Sequence, residues 1–222
     1  MTEQLALDLG TIVAPPATIV SKSNEAAYGL LHAWPRWPMP IVLVSGPPGS
    51  GKSHLAAAFA DHVGADHVCA RSLSAGQAVG LGGSPLVVDD ADLADDRALF
   101  HLFNAVRSGG STLLLTATRR QTRGLADLTS RLRAVPEVAL GPPDDALLKE
   151  VLREGLLRRQ LAADPQVVNF LLSRIERTLH EAQWWVSALD RKGLAEQRAA
   201  TRPLAAQILR ASSGSRRDET VP

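Results

Sequence analysis

Apolar positions along the chain change their spacing twice. Between residues 41 and 140 they fall into short runs at 41–44, 67–70, 86–89, 112–116 and 137–140, separated by stretches of helical period at 53–60, 96–108 and 125–133. Five short apolar runs alternating with helices predict a parallel sheet covered on both faces, because strands buried on both sides lose the polar alternation of half-exposed ones. A further helix is expected over 23–34, capped by Ser23 and stopped by the three prolines of segment 35–40. After Gly141-Pro142-Pro143 only the helical period remains, at 144–161, 165–175, 178–193 and 203–209. The expected organisation is therefore an extended N-terminal tail over 1–18, an α/β domain over 19–141, a small helical domain over 142–211, and a polar, disordered tail over 212–222.

The turn after the first run carries the clearest chemistry. Gly46-Pro47-Pro48-Gly49-Ser50-Gly51-Lys52-Ser53 fits the phosphate-loop pattern at every fixed position, between a strand and a helix as that motif requires. Its glycines let backbone N–H groups curl around phosphate oxygens, Lys52 brings a point charge, and the Ser53 hydroxyl is placed to ligate Mg²⁺. The implied ligand is ATP or ADP with Mg²⁺. Leu86-Val87-Val88-Asp89-Asp90 supplies the second element such a site needs, a hydrophobic strand ending in acid. Asp89 is placed to hold the metal through water, and Asp90 to orient or deprotonate an attacking water. Asp92, Asp95 and Asp96 read as solvated charges at a helix N-terminus.

Together these parts resemble the AAA+ ATPases, and within them the DnaA/Hda family, over about residues 19–210. Ile19-Val20-Ser21-Lys22-Ser23-Asn24, the double aspartate, and Leu114-Leu115-Thr116-Ala117-Thr118-Arg119 carry the likeness. The resemblance implies a five-stranded P-loop domain with a small C-terminal helical lid. It adds Val20 and His54 to the nucleotide contacts at Gly46, Pro47, Gly49, Ser50, Gly51, Lys52 and Ser53. It also implies Thr118 as the sensor of the terminal phosphate and Arg131, in Thr129-Ser130-Arg131-Leu132, as the finger offered to a neighbour's nucleotide. At the lid position where the family usually has an arginine this chain has His180, so either His180 or Arg177 must serve there, and intrinsic hydrolysis is expected to be weak. Trp184-Trp185 read as lid packing, since adjacent helical positions point to different faces.

Gln4-Leu5-Ala6-Leu7-Asp8-Leu9 is similar to the peptides by which bacterial proteins dock on the DNA sliding clamp (the β subunit, DnaN), with Gln4, Leu5, Leu7 and Leu9 as contacts. The resemblance implies DnaA as a partner and leaves a homo-oligomer open. It implies no sequence-specific DNA binding of its own, because the chain has room for neither the oligomerisation domain nor the helix-turn-helix domain of DnaA. Three readings follow: a clamp-bound regulator that promotes hydrolysis of DnaA-bound ATP, a non-catalytic nucleotide-gated clamp adaptor, and an independent ATPase resembling a helicase loader.

Composition alters this picture only slightly. Residues 1–118 carry 6 basic and 10 acidic groups, residues 119–222 carry 18 and 13, so the net +1 conceals a basic second half. Twenty of the 24 basic residues are arginine, an Arg/Ala bias more than a signature. A single cysteine, Cys69, excludes an intrachain disulfide. With no basic leader and no apolar run approaching the roughly 18 residues of a span, the expectation is a cytoplasmic protein with no membrane contact.

Overall fold

The computed structural model describes residues 18–119, 124–162 and 164–218, with side chains as far as Ala211. Strands β1 (Ile41–Ser45), β2 (Asp66–Cys69), β3 (Leu86–Asp89), β4 (Leu113–Ala117) and β5 (Glu137–Ala139) form one parallel sheet in the order β2-β3-β4-β1-β5. The period of two sorts its side chains between two cores. Ile41, Leu43, Leu86, Val88, Leu113 and Leu115 pack with α4 (Asp96–Gly109) and α5 (Ala126–Ala134). Val42, Val44, Val87 and Leu114 pack instead with α1 (Glu25–His32) and α2 (Lys52–Val63). That two-sided burial is why β1 and β4 are buried at every position.

Two local features differ from the sequence expectation. Helix α1 starts after Asn24 rather than Ser23, because Asn24 knits the preceding turn: its amide accepts from Ser21 N–H and donates to the Ile19 carbonyl, both at 2.8 Å. The Ser23 N–H is taken by the Asp144 carboxylate at 3.2 Å. Between β2 and β3 lies an additional short helix, α3 (Ala75–Gly80), closed at its start by a reciprocal Ser74/Gln77 capping box. Six residues with two glycines carry too little period to be read from sequence.

The helical domain comprises α6 (Asp145–Arg158), α7 (Pro165–Leu172), α8 (Leu179–Glu196) and α9 (Arg202–Asp218). Three of these helices start on caps: Asp144 accepts from Leu147 N–H at 2.7 Å, Asp164 from Gln166 at 2.8 Å, and Thr178 from Glu181 at 3.1 Å. Each cap stabilises its helix by about 1 kcal/mol. Leu152, Leu156, Leu171, Trp185, Leu189 and Leu204 fill the lid core. Helix α9 runs past residue 209 to Asp218, into the segment that reads as a polar tail; between 212 and 218 the one poor helix former is Gly214. Among the described residues no helix is long and apolar enough to cross a membrane.

Candidate functional site

The loop after β1 stands at the carboxyl edge of the sheet, the edge at which open α/β sheets take their ligands. Gly49 and Gly51 have φ of +74° and +101°, a region costly for any residue with a Cβ. Gly51 is also the N-cap of α2 and offers no side-chain cap, so the first-turn N–H groups of that helix face the loop without helical partners. The buried Lys52 ammonium folds back on the loop, donating to the carbonyls of Gly46 at 2.9 Å and Pro47 at 3.1 Å. Ser53 is exposed beside it.

The lid closes directly on this loop. Leu179 N–H at the start of α8 donates to the Gly49 carbonyl at 2.9 Å. A Cβ on Gly49 would lie 2.6 Å from the Thr178 Cβ, and one on Gly51 would lie 2.8 Å from Leu179 Cδ1. The glycines are therefore required twice, for the backbone turn and for the approach of the lid. As a result the N-termini of α2 and α8, both positive dipole ends, converge with Lys52 on one loop. Such a convergence is electrostatically suited to an anion.

Beside the loop, between α2, α6 and α8, is a cavity of about 340 Å³. Its lining includes Ile19, Ser50, His54, Leu55, Glu154 and Gln183. That is within the size range of small-ligand pockets. The Ser50 hydroxyl in its wall is buried and has no partner among the described residues, which fits a polar ligand there. Burial pushes the His54 imidazole below its ordinary pKa, with Glu154 opposing, so it presents a neutral ring to the cavity. Ile19, not Val20, reaches this lining: Val20 is 46% exposed, because one step along an extended segment reverses the side chain.

Behind the loop, Thr116 of β4 locks the acidic end of β3. Its hydroxyl donates to Asp89 Oδ1 and accepts from Asp90 N–H at 2.9 Å. Thr116 is fully buried, and a buried hydroxyl near the end of an apolar strand must find a partner. Thr118 is exposed, with its N–H on Asp92 Oδ2 at 3.3 Å, so the structure brings Thr116 and not Thr118 against the acid pair. In the lid His180 is exposed and Arg177 is ion-paired with Asp145. Arg131 lies half-buried on α5, its guanidinium 4.5 Å over the Phe100 ring and bonded to Asn104 Oδ1 at 2.5 Å. Gln4, Leu5, Leu7 and Leu9 lie outside the described residues. Among the described residues no three His, Cys, Asp or Glu side chains cluster to hold a metal. A metal at Asp89 and Ser53 would thus depend on ligand and water oxygens, the usual situation for Mg²⁺.

Asp90 sits in left-handed backbone at φ 54°. Burial, then the charges of Asp89 and Asp92, raise its pKa, against the pull of Lys52 and Arg71. A carboxyl raised in the folded state binds its proton more tightly there than in the unfolded chain. Its ionisation therefore costs stability, a cost absent below the unfolded value of about 3.9 and complete above the folded one. Asp90→Asn, which tolerates this backbone, should melt at a higher temperature than the parent at pH 7. The gain should shrink as pH falls through the carboxylate range; an equal or lower melting temperature at pH 7 would contradict this.

The family model of the Hda lid domain matches residues 145–209. An uncharacterized protein of Haemophilus influenzae is 29% identical over 188 residues, covering 77% of this chain and 81% of that one. Domain III of the Thermotoga maritima replication initiation protein DnaA superposes with a TM-score of 0.74 at 18% identity, covering 87% of this chain and 94% of that one. The Thermotoga maritima RuvB Holliday junction branch migration motor gives 0.70 at 17%, covering 86% and 70%. A DNA replication initiation factor gives 0.69 at 19%, covering 80% of this chain; the chain spans 64% of that protein's length. These likenesses show the fold; with the match of residues 145–209 to the Hda lid domain and the sheet order, the chain is similar to the AAA+ proteins of the DnaA/Hda family.

Proposed function

We propose that the chain holds ATP or ADP with Mg²⁺ between the phosphate loop and the lid, and that this nucleotide shapes an interface. On that reading it is an Hda-like regulator of replication initiation that binds the DNA sliding clamp and promotes hydrolysis of DnaA-bound ATP. The observation that carries it is the convergence of two helix N-termini and Lys52 on one loop, joined by the Leu179 to Gly49 hydrogen bond. Phosphates would take the loop N–H groups, Lys52 and the Ser50 hydroxyl, Ser53 and Asp89 would hold Mg²⁺, and the base end would enter the cavity beside His54. Bound Mg²⁺ would neutralise phosphate charge. Because the lid bonds the loop itself, loop occupancy and lid position are coupled.

Arg131, steadied by Phe100 and Asn104, is the residue offered to the partner's nucleotide. A finger of this kind contributes about 10³ to 10⁵ in rate. Arg131→Ala should therefore retain nucleotide binding and capture by immobilised clamp while losing stimulation of DnaA-bound ATP hydrolysis. Undiminished stimulation would refute the role. A chain lacking residues 1–10 should lose clamp capture and keep its nucleotide.

One observation favours a second reading, the non-catalytic adaptor. His180 is exposed and Arg177 is engaged by Asp145, so neither of the two lid residues expected at the phosphates makes a contact with the loop among the described residues. In that case the chain's own ATP turnover stays at background, with and without DnaA.

A further inference from the structure

On the outer surface of the lid, away from the phosphate loop, two arginines share one aromatic ring. The guanidinium carbons of Arg174 and Arg202 lie 4.1 Å and 5.7 Å from the Phe170 ring centroid. They rim a concavity of about 350 Å³ whose remaining lining is Gln166, Asn169 and Ser173. Arg174 is held in place, donating to the Phe170 carbonyl at 3.2 Å and to the Ser173 hydroxyl at 2.5 Å. Among the described residues neither arginine forms an ion pair. The nearby Asp164 carboxylate is turned to cap α7 through Gln166 N–H at 2.8 Å.

Two like charges on one ring without a carboxylate repel each other, and a polyanion relieves that repulsion. A planar guanidinium is also a surface on which a base can stack, and Gln166 and Asn169 line the same concavity with amide donors and acceptors. The next charged residue along α9 is also basic, Arg210. We propose that the concavity formed by Phe170, Arg174 and Arg202 is a binding site for single-stranded nucleic acid, read through phosphate charge and base stacking without sequence preference. The site shares no residue with the nucleotide cavity, so it stands or falls independently of the function proposed above.

The test is fluorescence anisotropy of the full chain at low salt with a labelled thirty-nucleotide oligothymidine and a duplex of equal length. Arg174→Glu/Arg202→Glu is compared with Arg191→Glu, a charge reversal on α8 outside the concavity. The double variant should bind the single strand at least tenfold more weakly. Its log–log salt dependence should flatten by about 1.4, roughly 0.7 for each lost phosphate contact. Its melting temperature and nucleotide affinity should be unchanged, and Arg191→Glu should remain close to the parent. No binding of the single strand, tighter binding of the duplex, or an equal loss in Arg191→Glu would overturn the proposal.

Discussion

Lys52→Ala is expected to lower nucleotide affinity about 100-fold or more, read by titration with a fluorescent ATP analogue. Charge-assisted hydrogen bonds contribute about 1.5–3 kcal/mol each, and the ammonium is the only side-chain cation that the loop sequence itself supplies. Two further consequences come from its position. Lys52 is buried and satisfies the carbonyls of Gly46 and Pro47, so the alanine variant also slackens the loop on which the lid rests. Hydrogen exchange at the start of α8 should accelerate in parallel with the loss of nucleotide. An affinity within about threefold of the parent would mean that the loop does not hold phosphate.

The largest effect on stability is expected at Trp185. Its side chain is 1% exposed at the centre of the lid core, and its indole N–H donates to Glu181 Oε1 at 3.1 Å. Trp185→Ala removes the whole indole ring and leaves a cavity among Leu152, Leu156 and Leu189, at a cost of about 3–5 kcal/mol. Urea denaturation should show the loss in a transition of the helical domain, while the separate sheet cores keep theirs. A volume-closer change, Trp185→Phe, should cost markedly less. A loss below about 1 kcal/mol for the alanine variant would show that the lid is not organised around this residue.

Much of the fold was legible because burial on both faces leaves an unbroken apolar run. The run at 86–89 became β3 over the same residues, and the helical period after residue 143 became α6, α7 and α8, each starting behind a capping side chain. Helix α3 was not legible, since its start rests on one capping box and its length shows no period. Within the candidate site the loop could be read locally, whereas its cover could not. The Leu179 to Gly49 bond joins residues far apart in the chain, and nothing near Gly49 signals that Thr178 will sit against it. Likewise a resemblance singled out Thr118, while the side chain that meets Asp89 is Thr116, one step inside the buried strand. Side-chain partners across strands depend on register, which sequence spacing alone does not supply.

The central claim is that nucleotide held under the lid prepares this chain to act on DnaA. Its most direct test is the rate at which DnaA-bound ATP is hydrolysed in the presence of clamp loaded on DNA. Adding the parent chain should accelerate that hydrolysis, and adding Lys52→Ala should not. An unchanged rate with the parent chain, or equal acceleration by the two, would contradict the account.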